Sequence, residues 1–252
     1  MTPFGLQLYS ARNVPTLSAF LTDLAAMGYA HVEGFGGAYS DPQAVRATLD
    51  EAGLTMPLGH FGLADLRRDF DGCADVARTL GVKTIIAPYL DATKRPDDRT
   101  GYAALARELG ALHRRCADAG FGFAWHNHDF EFVPLRDGST GMDVILSDAP
   151  DMAWEADIAW IIRGGADPAA WIGKYGSRMT AVHVKDIAPK GENADQDGWS
   201  GLGDGTVDWP ALIAAIKAEA GDVLWIAEHD NPRDPHVFAE QAIATFNGWM
   251  AG

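Results

Sequence analysis

A closed (β/α)8 barrel built as one domain is predicted by three features of this sequence. Short apolar runs alternate with longer amphipathic ones from end to end. The 252 residues contain no linker and no break in composition. Polar, coordinating side chains recur at the same end of run after run. Strands that alternate with helices pair in parallel. Eight such units in about 250 residues favour closure over an open sheet, so 1–252 reads as a single domain.

The elements follow in order. "FGLQLY" (4–9) reads as the first strand, and "VPTLSAFLTDLAAMG" carries the helical pattern after it. "AHVEGF" (30–35) is the second strand, followed by "DPQAVRATLDEAG". There Asp41 is the expected N-cap, and Pro42 takes the first helical position, where its missing N–H costs nothing. "TMPLGHF" is the third strand and leads to a helix near 70–80. "VKTIIAPYL" (82–90), the fourth, is the most apolar and β-branched; the long helix near 100–119 stops at Gly120, as a left-handed glycine allows. "FGFAWH", "MAWEAD" (152–157), "MTAVHVKD" (179–186) and "VLWIAEHD" (223–230) supply strands five to eight. Helices are expected near 141–148, 167–175, 208–220 and 235–250, and no internal repeat or low-complexity segment interrupts the series.

The totals exclude several functions. A net charge of −15 without a basic stripe opposes nucleic-acid binding, since a duplex-binding surface must displace counterions. Hydrophobic residues make up 47% of the chain, enough for a large core without disulfides. Two cysteines without a pattern, Cys73 and Cys116, suit a reduced intracellular protein. The amino terminus lacks the basic leader and apolar core of a signal peptide. No stretch approaches the roughly 18 apolar residues of a membrane span. A cytoplasmic protein with no nucleic-acid or membrane partner is expected; a homo-oligomer is left open.

In such a barrel, function gathers at the carboxyl ends of the strands. Gln7 and Tyr9 lie at the end of the first strand, Glu33 of the second and His60 of the third. His126 and His128 close the fifth, Asp157 the sixth, His183 and Lys185 the seventh, and Glu228 the eighth. Residues two apart share a strand face, so His183 and Lys185 point together, as do Glu228 and Asp230. An inward Asp157 without a partner would cost several kcal/mol. A divalent cation shared by Asp157, His183 and Glu228 removes that cost. Oxygen-rich ligation with one imidazole suits Mn²⁺, Mg²⁺ or Co²⁺ better than a thiolate zinc site. Taken singly, a strand-end histidine is more often a hydrogen-bonded structural residue, and a strand-end carboxylate a helix cap. The trio on three successive strands outweighs those readings. Tyr9, Phe61, Trp125 and Trp160 are either pocket walls or core.

"GLQLYSAR", "GYAHVEGFGG", "LGVKTIIAPYL", "WHNHDFEF", "EADIAWIIRGGADPAAWI", "VHVKDIA", "GLGDGTVDWPALI" and "IAEHD" occur here in that order. Over nearly the whole chain they resemble the sugar phosphate isomerase/epimerase superfamily of xylose isomerase-like TIM barrels. The resemblance implies one divalent ion, with Mn²⁺ expected and Mg²⁺, Co²⁺ or Zn²⁺ as alternatives. It also implies a ligand set of Glu, Asp, His and Glu from strands five to eight. Asp157, His183 and Glu228 match the last three. The sequence departs at strand five, where His126 or His128 stands in place of the first glutamate. Glu131 is favoured to curl back as the fourth ligand, with His128 as the competing assignment and His126 and His128 otherwise facing the substrate.

The implied substrate is a small sugar or polyol, contacted by Gln7, Tyr9, Glu33, His60 and Trp160. The implied chemistry is proton abstraction beside a carbonyl through a metal-stabilised enediolate, giving epimerisation or aldose–ketose isomerisation. Glu131 and Glu228 would move the proton, and Lys185 would face the oxyanion. Elimination by a dehydratase or keto-glycoside lyase, with His126 or His128 as acid, is the alternative. A non-enzymatic sugar-binding barrel is the alternative from another class. Endonuclease members of the superfamily are set aside on the acidic charge. The glycine-rich "GLGDG" (201–205) is expected to be a flexible lid rather than a phosphate cradle.

Overall fold

The structure, a computed structural model, describes residues 2–251. Its eight barrel strands are β1 (Phe4–Gln7), β2 (His31–Gly34), β3 (Thr55–His60), β4 (Thr84–Ala87), β5 (Gly122–His126), β6 (Ala153–Asp157), β7 (Met179–Val184) and β10 (Leu224–Ala227). They are parallel and close in sequence order, with β10 returning to pair with β1. A two-residue antiparallel pair, β8 (Asp186–Ile187) with β9 (Trp199–Ser200), sits in the connection after β7.

The expected helices are all present: α1 (Leu17–Met27), α2 (Pro42–Ala52), α4 (Phe70–Leu80), α5 (Arg99–Asp118), α6 (Gly141–Asp148), α8 (Pro168–Tyr175), α9 (Trp209–Glu219) and α10 (Pro235–Ala251). Two short helices, α3 (Leu63–Arg68) and α7 (Ile158–Arg163), were not legible as separate elements. The Asp41 side chain caps α2 by accepting from Ala44 N–H, with Pro42 at its start. After α5, Gly120 adopts φ 86°, a left-handed turn that an L side chain resists.

Several strands stop short of their apolar runs because the chain leaves the ladder to build the mouth. The first strand ends at Gln7, whose side chain caps a 3-10 turn at Leu8–Ala11. Tyr9 therefore stands on that turn, at the rim. Within the barrel, Leu58, Ile86, Ala124, Ala181 and Ile226 form an apolar floor. Period-two alternation then raises the polar residues above it: Leu58 is followed by His60, Ala124 by His126, Ala181 by His183 and Ile226 by Glu228. The opposite strand faces, including Trp125, Trp154 and Val182, bury against the helices. Each large apolar side chain fully buried there contributes roughly 1.5–3 kcal/mol. No helix among the described residues is long and apolar enough to cross a membrane.

The glycine-rich segment is tied down. Asp186, 1% exposed, accepts backbone N–H bonds from Gly203 (3.0 Å) and Gly205 (3.2 Å) on Oδ2. Its Oδ1 accepts from Ile187 (2.9 Å) and Val207 (3.1 Å). A Cβ at Gly205 would collide with the Asp186 carboxylate. The loop's amides thus cradle an anion, but the anion is the protein's own aspartate. Asp186→Ala should lower unfolding stability by on the order of 3 kcal/mol, because buried N–H groups lose a charged acceptor. Urea denaturation measures this, and an unchanged midpoint would contradict the role assigned to Asp186.

Candidate metal and substrate site

A cavity of about 640 Å³ opens at the carboxyl end of the barrel. Its walls include Tyr9, Phe35, Tyr89, His128 and Trp160, and its deeper surface includes His60, His126 and Glu228. Tyr9 and Tyr89 are 38% and 44% exposed at the mouth, with Arg12 over the Tyr9 ring and Arg95 over the Tyr89 ring. His128 lies 5.2 Å from both the Tyr89 and Trp160 rings, centroid to centroid.

Below the cavity the strands converge on a dense polar cluster. His183 is its centre: Nδ1 lies 2.9 Å from Glu228 Oε2 and 3.9 Å from Asp157 Oδ2, while Nε2 lies 2.7 Å from Glu33 Oε2 and 3.4 Å from Glu155 Oε2. His60 Nε2 lies 2.6 Å from Glu155 Oε2. Burial disfavours a charged His183, but Glu155, Glu228 and Glu33 overcome it and raise its pKa well above the usual value. Burial and then the Glu155 charge push Glu33 up to about 7. Burial likewise pushes Asp157 up to about 6, against the pull of Lys185. Glu228 stays well below the carboxylate range: burial opposes this, but Lys185 and His183 win. Burial lowers His126 to about 4, so its imidazole is neutral near pH 7.

Two groups of four side chains bring ligand atoms within 4.8 Å of one another: His126, Asp157, His183 and Glu228, and His60, His126, Glu155 and His183. Asp157, His183 and Glu228 therefore meet. The glutamate expected beside them does not. Glu131 is fully buried, with Oε1 accepting from Trp125 Nε1 (3.0 Å) and Oε2 from His128 N–H (2.9 Å). The chain after β5 makes a 3-10 turn at Phe130–Phe132 that aims Glu131 at its own strand, and the histidine among the converging ligands is His126. His128 lines the cavity instead.

The remaining residues divide between wall and interior. Tyr9, His60 and Trp160 border the cavity. Gln7 and Glu33 have no exposed surface and bond to each other at 2.7 Å, beneath the wall rather than on it. Lys185 is fully buried, with Nζ 2.7 Å from Asp230, 3.0 Å from Glu228 and 3.5 Å from Asp157. It neutralises carboxylates under the Trp160 and Trp199 rings. Phe61 and Trp125 are core. Glu155 was missed from the sequence, although it lies two residues before Asp157 and so shares its face. Asn127 was missed too: it accepts from Trp154 Nε1 and Asp157 N–H and donates to Asp157 O, joining β5 to β6 beside the site.

The family model of the xylose isomerase-like TIM barrel matches residues 21–249. The chain belongs to that family. A curated relative, inosose dehydratase from Geobacillus kaustophilus (strain HTA426), is 24% identical over 194 residues, 68% of this chain and 62% of that protein. The chain thus spans under two thirds of that relative's length. A solved sugar phosphate isomerase/epimerase from Parabacteroides distasonis superposes with a TM-score of 0.78 at 20% identity, over 96% of this chain and 92% of that one. The IOLI protein with a bound zinc atom superposes with a TM-score of 0.80 at 14% identity, over 100% and 98%. At such identities the likeness shows the shared barrel.

The donor set of this family member fits a first-row divalent ion. Two carboxylates and two imidazoles, one per strand from β5 to β10, are the ligand types that Mn²⁺, Co²⁺ and Zn²⁺ share. Beside them, Glu155 Oε1 is buried without a hydrogen-bond partner.

Glu131 gives this site a pH signature. Burial pushes its carboxyl from the ordinary 4.5 up to about 8. Between those values the fold holds a proton that the unfolded chain releases. The group's contribution is full below about 4.5 and is lost as pH rises through about 8. Glu131→Gln cannot titrate, so its stability should fall less steeply than the wild type's from about pH 5 to about pH 9. Thermal unfolding across that range measures it; parallel curves would show that Glu131 does not titrate there.

Proposed function

We propose that this protein is a metal-dependent enzyme that removes a proton beside a carbonyl of a small sugar or polyol, as an isomerase or epimerase. The observation that carries the reading is the convergence of Asp157, His183, Glu228 and His126 beneath an aromatic-walled cavity at the barrel mouth. A divalent ion held by those four, with Mn²⁺ the first choice, supplies a Lewis acid that stabilises the charge developing when the proton leaves.

The chain's own groups do the rest. Glu228 is ionised and reaches the cavity, so it is the base. Tyr9, Phe35, Tyr89 and Trp160 offer aromatic surface to the C–H faces of a sugar and exclude water. Lys185 keeps Glu228 and Asp157 ionised by sitting between them.

Elimination is the second reading, and one observation favours it. The glutamate expected opposite Glu228 is turned away, and the cavity is lined instead by His128. Burial, then the neighbouring His126, holds His128 well below its usual pKa, and its Nδ1 has no partner. A neutral imidazole there can take up the proton removed beside the carbonyl, and the imidazolium so formed can pass it to a departing hydroxyl or glycosidic oxygen. The curated inosose dehydratase relative supports the same reading.

Incubating the Mn²⁺-loaded protein with keto-sugars and keto-inositols in D2O tests both readings. Deuterium should enter at the carbon beside the carbonyl, and Glu228→Gln should abolish it. An epimer or isomer as product supports the first reading, and an unsaturated product that needs His128 supports the second. No exchange with any such substrate would refute the proton-abstraction reading.

A further inference from the structure

We infer that Glu33 and Glu155, buried a level below the candidate ligands, are positioning residues that orient the two ligand histidines, His183 and His126. This inference rests on the metal reading above.

The orientation of His183 is set by a chain of hydrogen bonds with one sense. Tyr9 N–H donates to Gln7 Oε1 at 3.0 Å. A backbone amide can only donate, so the Gln7 carbonyl oxygen must face it. Gln7 Nε2 then donates to Glu33 Oε2 at 2.7 Å. The same oxygen lies 2.7 Å from His183 Nε2, and as a carboxylate oxygen it accepts from that nitrogen. Parallel pairing sets Gln7 and Glu33 side by side on β1 and β2, which fixes the start of the chain in the barrel wall. With Nε2 carrying the proton, Nδ1 is the nitrogen left facing Glu228 and Asp157.

Glu155 stands behind His126 in a looser way. Its Oε2 lies 3.1 Å from His126 Nδ1, without the alignment of a full hydrogen bond, and 2.6 Å from His60 Nε2. His60 also lies 3.4 Å from Glu33 Oε2, so one imidazole bridges the two carboxylates. Both glutamates use Oε2 for these contacts, and both Oε1 atoms lack hydrogen-bond partners. Neither glutamate has exposed surface or borders the cavity, so both act through the histidines. A carboxylate behind a ligating imidazole fixes its tautomer and raises its basicity; losing one costs about tenfold to hundredfold in metal affinity.

Calorimetric titration of Mn²⁺ into wild type, Asp157→Ala, Glu33→Gln and Glu155→Gln tests this. The expected result is one ion per wild-type chain, none in Asp157→Ala, and binding weakened by about tenfold to hundredfold in each glutamine variant. Wild-type affinity in both glutamine variants, with Asp157→Ala still defective, would overturn the positioning role and leave the metal reading intact. A wild-type chain that binds no Mn²⁺ would remove both. Two ions per chain, the second lost in Glu155→Gln, would make Glu155 a ligand and also overturn the inference. Should the variants fail to fold, ¹⁵N-resolved NMR of the Zn²⁺-loaded wild type decides. A proton on Nε2 of His183 and on Nδ1 of His126 supports the inference, and the opposite tautomers overturn it.

Discussion

The structure depends on balancing buried negative charge. Glu33, Glu155, Asp157 and Glu228 project into the barrel with 5% exposure or less. Carboxylates taken out of water must be paired, protonated or bound to a cation. Lys185 answers part of this by sitting among Asp157, Glu228 and Asp230. Around His183 and His60 the glutamates favour the charged imidazole and raise both pKa values despite burial. Burial still holds the pKa values of Asp157 and Glu33 above the usual carboxylate range. Asp157, His183, Glu228 and His126 bring their ligand atoms close enough together that a divalent ion would supply further positive charge there.

The barrel brings these groups together through strand periodicity. Small or apolar residues on the floor, Ala124 and Ala181 among them, leave room for the imidazoles two residues on. Large residues on the opposite strand faces pack outward against the helices and hold each strand in register. The site is thus layered: an apolar floor, then the buried carboxylates and imidazoles, then the aromatic mouth.

Much of this was legible in the sequence. Alternating elements gave eight strands and their helices within a few residues, because helix caps such as Asp41 and terminators such as Gly120 mark boundaries locally. The meeting of Asp157, His183 and Glu228 was legible because each stands at the same end of its strand. Glu131 was not, since its direction depends on a single turn after β5 and on acceptance of Trp125 Nε1. Glu155 was overlooked beside Asp157, although period two places both on the inner face. The glycine-rich loop was misjudged as free because its anchor, Asp186, lies some 15 residues earlier in sequence and is brought to it by the β8–β9 pairing.

The most direct measurement is anomalous diffraction at the manganese edge from crystals grown with Mn²⁺. One peak per chain, bounded by Asp157, His183, Glu228 and His126, is the predicted result. No peak, or a peak coordinated by Glu131 in place of His126, would contradict the site described.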